Sequence, residues 1–496
     1  MVWLTTFLVG ILRERMGRGV NGSRIDSVAV LPLESLSSDA AQDYFALGMT
    51  DALITDLGSI AALRVISRSA VMRYKGQHKP AAEIAGELKV QRLVEGSVLR
   101  SQERVRITAR LIEPATDTTL WSGTYERELG DVLALEREVA RSIANEVRVK
   151  LTAQEQARLR VARTVRPEAY DSYLRGTFLA SHNTEADNLA AIEAFERAIA
   201  ADPTFAAAYA AVAKAYVQLF FFFKPEERTK LEEKAYIAVE KALSLDPDLA
   251  DAYIVRGRAL WTPANHFPHE RAIQEFRHAL ALNRNSVDGH MQLALIYNHI
   301  GLLDKGLAEL RTAAEIDPSS ADPLLQEGHL LALQGKYEEA LAVYRTIPRA
   351  SFPTVVATSI AWMLFQLGRR HEASAMIDES SREYPEDPAG AFAGIQALLA
   401  AAAGESGRAE DAIARALQKK GFGHFHHTAY WIACAYARMN KSQPAMDWLQ
   451  QTAENGFPCY PLFERDPNLN PLRKDPRFIA FLATIKKQWE HYNATL

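Results

Sequence analysis

The sequence predicts a two-domain α+β protein: a small mixed-sheet α/β domain, then a mostly α superhelix of stacked helix pairs. Three observations predict it. Apolar residues up to about residue 150 alternate between a strand period and a helix period. Beyond residue 167, small and large apolar residues recur every ~34 residues. Asp202-Pro203, Asp246-Pro247 and Asp317-Pro318 punctuate that second region at the ends of helical runs. The expected layout is a segment and tether at 1–26, the α/β domain at 27–150, a helical connector at 151–166, the superhelix at 167–455 and a C-terminal cap at 456–496.

The run 27–31 is apolar on both faces and reads as a strand buried mid-sheet. Phe45, Met49, Leu53 and Leu57 then share one helix face. Residues 63–66 form a short strand, and Pro80 opens a helix with Ala81, Ile84, Ala85 and Leu88 inward. Three further strands are expected at 93–99, 105–112 and 120–127. In the middle one Val105, Ile107, Ala109 and Leu111 alternate with Arg106, Thr108 and Arg110, so one face is solvated. Turns are expected at 102–103 and 114–119. A long helix follows with Val132, Leu135, Val139, Ile143 and Val147 inward. The order is βαβαβββα.

In the second region each Asp is expected to cap the following helix and each Pro to occupy its first turn, where no N–H is needed. Ala191, Phe195 and Ala198 precede Pro203. Ala235, Val239 and Ala242 precede Pro247, and Ala272, Phe276 and Ala279 precede Arg284. After each break come a small and then a larger residue: Ala213 with Tyr216, Gly257 with Leu260, Ala294 with Tyr297, Gly328 with Leu331. Gly335, Gly368, Gly404 and Asn440 continue the pattern, each five residues before an alanine. An irregular bundle is also rich in Ala and Leu, but it does not repeat at one period. This pattern resembles the tetratricopeptide repeat (TPR), with about eight helix pairs beginning near Tyr170.

The first domain has a resemblance of its own. Gly48-Met49-Thr50-Asp51-Ala52-Leu53-Ile54-Thr55-Asp56-Leu57 with Leu63-Arg64-Val65-Ile66-Ser67-Arg68-Ser69 is similar to the TolB-like amino-terminal domain. Val94-Glu95-Gly96-Ser97-Val98, Arg106-Ile107-Thr108-Ala109-Arg110-Leu111-Ile112 and Leu120-Trp121-Ser122 match the same family in order. The ending around Asp466-Pro467 and Asp475-Pro476 resembles that of such arrays. The resemblance implies the distal half of bacterial signalling proteins whose front half is a winged-helix domain, a nucleotide cyclase or a kinase, joined through one membrane helix. Only 26 residues precede the first strand here, too few for such an effector.

The chain of 496 residues carries a formal net charge of -4, with 48% hydrophobic and 24% charged residues. This is ordinary for a globular protein and offers no basic footprint for nucleic acid. Cys434 and Cys459 provide no disulfide framework; one bridge between them stays open, and Cys434 reads as a packing residue. The apolar run at 2–12 spans ~16 Å as a helix against ~30 Å of hydrocarbon. It reads as the remnant of a membrane helix or as an apolar arm. The expected location is membrane-associated or periplasmic, or cytoplasmic if this run is no remnant. Glycines 17, 19 and 22 suit a tether.

No catalytic motif is present: no G-x-x-x-x-G-K-[ST], H-E-x-x-H or G-x-S-x-G. No enzyme activity, cofactor or metal is expected. His424, His426 and His427 are read as a polar interhelical loop, because no acid or cysteine stands at ligand spacing. His266, His269, His278, His290 and His299 are expected in solvated or capping roles. Lys214, Arg258, Trp261, Asn298, His329, Trp362, Gln366, Tyr430 and Arg438 are placed on the concave wall, as a groove for a protein or peptide partner. Phe220, Phe221, Phe222 and Phe223 either extend a helix over neighbouring repeats or form an exposed apolar patch. The function expected is a non-catalytic interaction, sensory or scaffolding protein. The alternatives are the truncated or divergent regulatory half of a membrane-anchored cyclase or winged-helix regulator, and a TPR-containing enzyme such as a glycosyltransferase or peptidase.

Overall fold

The computed structural model describes residues 26–37, 43–101, 104–160, 164–348, 350–421 and 424–496. The apolar run at 2–12, the glycine tether, the turn at 102–103 and residues 422–423 lie outside them. In the first domain β1 (Ser27–Val30) is flanked by β3 (Arg64–Val65) and β4 (Arg92–Ser101), both parallel to it. Antiparallel β5 (Arg104–Glu113) and β6 (Thr118–Glu128) extend the sheet to the order β3-β1-β4-β5-β6. All four residues of β1 are buried, as a central strand with helices over both faces requires. Val28, Val30, Val94, Ile107 and Leu111 pack under the helices Asp43–Gly58 and Val132–Glu146. Ala29, Ile66, Leu93 and Ile112 pack under Ala81–Leu88 on the other side. A two-residue strand, β2 (Glu34–Ser35), and a short helix, Arg68–Met72, were not anticipated; both are too short for a periodic signal.

The rest is helical. Among the described residues eight antiparallel hairpins follow one another, from Pro167–Ala180 with Glu185–Ala201 to Phe425–Arg438 with Ser442–Glu454. The small positions work by close approach. A Cβ added at Gly176, Gly257 or Gly328 would lie 2.5, 2.4 or 2.5 Å from the ring of Phe195, Phe276 or Tyr344. Each ring comes from the second helix of the same hairpin, so glycine and aromatic are one packing unit.

The Asp-Pro pairs act differently from the capping role expected. Asp202, Asp246 and Asp317 end the preceding helix in non-helical backbone, and the next helix begins later, at Ala206, Ala250 and Asp322. Each carboxylate accepts the N–H two residues on: Thr204 at 3.0 Å, Asp248 at 3.1 Å and Ser319 at 3.1 Å. Asn283 does the same with Asn285 at 3.0 Å, which explains how one repeat dispenses with the Asp-Pro pair. These are Asx turns, which suit a short polar side chain between helices.

The α/β domain is clamped along the edge that carries these turns. Asn285 accepts the Val65 N–H at 3.0 Å and donates to the carbonyls of Gly58 and Leu63 at 2.9 and 2.8 Å. Arg284 donates to the Ala61 carbonyl at 2.8 Å, and the Ser67 N–H donates to Ile316 O at 3.0 Å. The Tyr170 hydroxyl, on the first hairpin, donates to buried Glu136 of the α/β domain. Burial, then the nearby Asp56 charge, pushes the Glu136 carboxyl up to about 8. A neutral Glu136 therefore contributes fully below the ordinary value of 4.5, and that contribution is lost as pH rises through about 8. Glu136→Gln is expected to melt like the parent at about pH 5 and to be more stable at about pH 9, with each pH unit of the shift worth at most ~1.4 kcal/mol. Parallel melting-temperature profiles for the two proteins would refute this.

The array curls until distant repeats touch. Arg228 of the second hairpin donates to Gly421 O at 3.2 Å, and the Phe221 ring lies 5.1 Å from His424. The C-terminal segment does more than cap the last hairpin. Trp489 donates to Gly301 O at 3.0 Å, and His491 meets Glu270 at 2.8 Å, so the final helix (Pro476–Thr495) returns to the third and fourth hairpins.

Candidate functional site: the inner wall of the superhelix

First helices of successive hairpins line the inner wall, but the residues expected there divide into three groups. Lys214 is exposed and Arg258 half-buried. Lys214 Nζ pairs with Asp288 Oδ2 at 2.7 Å, spanning two hairpins; the two side chains are 53% and 56% exposed. Asp288 holds the Lys214 ammonium up, and Lys214 holds the Asp288 carboxyl down. Burial pushes the carboxyl of neighbouring Asp251 up and the guanidinium of Arg258 down. This stretch is a mixed-charge surface, with acidic Asp288 and Asp251 beside the cationic residues expected there.

Gln366, Tyr430 and Arg438 are engaged by the chain itself. Asp466, 1% exposed, accepts from the Tyr430 hydroxyl at 2.5 Å and from Gln366 Nε2 at 3.3 Å. It also accepts from the Asn468 N–H and side-chain amide, at 2.8 and 2.7 Å. Arg438 donates to Asn468 Oδ1 at 3.0 Å. The segment around Asp466 thus occupies the wall of the last three hairpins, where a partner was expected. The pattern reading missed it because these contacts span 30 residues or more. The only sequence signal was Asp466-Pro467-Asn468, which repeats the Asx-turn grammar of the inter-repeat loops.

Trp261, Asn298 and Trp362 are buried at 8, 3 and 7% exposure, so they are core rather than groove anchors. Trp362 packs on Trp431, and Trp261 packs on Phe267 and His299. The reason is closure: a one-sided wall becomes an interior when the array curls. His329 is half-buried between Tyr344 and His427, with Nε2 at 3.3 Å from the Ser359 hydroxyl. Of the four phenylalanines, Phe220 is buried and Phe222 alone is well exposed, at 53%. They continue the helix as a π-helical turn, Leu219–Phe223, so a contiguous exposed patch does not form. Ala206–Phe223 is long and apolar enough to cross a membrane by length and composition, yet much of it packs inside the second hairpin's core.

The histidines depart most from expectation. His269, His290 and His299 are buried, not solvated. His299, the last residue of Val287–His299, meets His424, His426 and His427 at the start of Phe425–Arg438. One ligand nitrogen from each lies within 4.8 Å of the others. His299 Nε2 is 2.9 Å from His426 Nε2, and His424 Nδ1 is 3.4 Å from the same atom. Burial drives all four below the ordinary imidazole value, His424 to about 4 and the other three well below it. Cys434 and Cys459 are free and buried, and burial pushes the Cys459 thiol up to about 12. A cavity of about 500 Å³ lies among Tyr344, Ile360, Met376 and Tyr384.

No family model matches the chain. A Rhizobium meliloti (strain 1021) protein named "Putative adenylate cyclase 3" is 39% identical over 186 residues, which are 38% of this chain and 32% of that protein. The chain thus spans about a third of that relative's length. Among solved structures, a tetratricopeptide repeat protein from Parabacteroides merdae superimposes with a TM-score of 0.39 at 15% identity, covering 53% of this chain and 97% of that one. A human IFIT1 dimer with m7Gppp-AAAA gives 0.42 at 12% identity over 65% and 77%. Each overlap is partial. The hairpins described above make this chain a mixed-sheet α/β domain joined to a TPR-like helical repeat.

Proposed function

We propose that this chain is a regulatory module of a nucleotide-cyclase signalling system, binding a protein or peptide partner rather than performing the chemistry. The observation that carries this reading is the 39% identity to the cyclase-named relative over 186 residues. The clamp of Asn285 and Arg284 on the 58–65 loop supports it physically, since a partner on the repeat would load the α/β domain directly. The TolB-like character of the first domain belongs to the same proposal. So does a membrane-associated or periplasmic location, which the apolar run at 2–12 supports. The partner segment is assigned to the inner wall left open by the C-terminal segment, around Lys214, Arg258, Asp251 and Asp288.

Affinity purification of the full chain from the cells that make it, beside Arg258→Glu, tests this. A cyclase-bearing polypeptide should co-purify with the parent. Its capture should fall about tenfold or more in the variant, the scale of one interface hot spot, with an unchanged melting temperature. Undiminished capture by the variant, or partners without any cyclase, would overturn the proposal.

A further inference from the structure

The histidine cluster is built from two places 127 positions apart, and its geometry is that of a ligand set. The carbonyl of Leu295 can only accept, so the 2.6 Å contact to His299 Nδ1 puts the proton there. The Nε2 lone pair of His299 is then turned into the cluster, the outer-shell arrangement typical of metal-bound imidazoles. Tetrahedral coordination at ~2.0–2.1 Å per bond places ligand nitrogens ~3.3 Å apart. Two of the separations, 2.9 and 3.4 Å, bracket that value, and all four nitrogens lie within 4.8 Å of one another.

The surroundings suit a cation held by neutral ligands. Trp261 and Phe457 lie 5.1 and 5.3 Å from the His299 ring, and Phe221 covers His424 at 5.1 Å. These rings exclude water that would compete for the ion. His424 itself adopts a left-handed backbone, φ 61°, unusual for a residue with a side chain. That conformation starts the last hairpin with three histidines turned inward. Arg258 is the cation acting on His424, and Asp288 offsets it nearby.

We propose that His299, His424, His426 and His427 form a binding site for one borderline divalent transition-metal ion, of the Zn²⁺ class. Imidazole nitrogens favour that class over Mg²⁺ or Ca²⁺. Four protein ligands leave no open position, so the ion is structural. It ties the fourth hairpin to the eighth and holds the superhelix closed.

The test uses the full chain stripped with a chelator and titrated with Zn²⁺ alone. One ion per chain should bind, raise the melting temperature and slow hydrogen exchange at 295–299 and 424–427. His299→Gln should weaken binding by more than about 100-fold, beyond the ~10–100-fold that outer-shell changes cause. His371→Gln, at an exposed histidine, should leave it unchanged. Absent stoichiometric binding, or equal affinity in His299→Gln, overturns the site. Should His299→Gln fail to fold, Co²⁺ added to the parent decides. Intense visible bands of tetrahedral nitrogen ligation support the site, and their absence at one equivalent refutes it.

Discussion

Asp466→Ala is expected to lower stability by about 3 kcal/mol and to free the C-terminal segment from the inner wall. Four protein donors converge on this one buried carboxylate, from Tyr430, Gln366 and both nitrogens of Asn468. Removing it leaves the hydroxyl of buried Tyr430 with only the weak Cys434 sulfur as a partner. Loss of the anchor should spread to the final helix, because Trp489 reaches Gly301 only while the segment runs along the wall. Hydrogen exchange of the terminal helix should accelerate, and the Trp489 fluorescence should shift to longer wavelength. A variant whose stability stays within about 0.5 kcal/mol of the parent would show that the segment is held some other way. The same variant exposes Gln366 and Arg438, so it also asks whether the plugged half of the wall can take a partner.

Gly257→Val is expected to cost about 3 kcal/mol by overpacking. Its Cβ would stand 2.4 Å from the ring of Phe276, which is 1% exposed and has nowhere to retreat. Helix propensity alone predicts the opposite sign, because glycine in a helix interior is worse than alanine by up to ~1 kcal/mol. The two effects separate in a double-mutant cycle with Phe276→Leu. Strong coupling places the cost in the ring contact, whereas additive losses would remove the glycine–aromatic pair as the unit of hairpin packing.

Much of the fold was legible as pattern. Strands at 27–31 and 105–112 were found because one was apolar on both faces and the other alternated. The hairpins were found because a glycine or alanine must recur wherever two helices touch. The role of the Asp-Pro pairs was misread: a capping turn and an Asx turn use the same residues, and only the backbone angles separate them. Counting along a helix face assigned Lys214 and Arg258 to the inner wall, and both keep some exposure. Trp261, Asn298 and Trp362 sit where counting put them along the helix, but the curl of the array turned that wall into core.

Period and alternation reach one or two helices along the chain, and within that reach the amino acids alone specify strand, hairpin and turn. The meeting of His299 with His426 and the return of Asp466 to Tyr430 have another origin. They depend on small rotations between neighbouring hairpins, summed over several repeats until the two ends of the curve coincide. No local residue pattern encodes that sum. The buried histidines and the occupied wall therefore became visible only when the whole array was assembled in space.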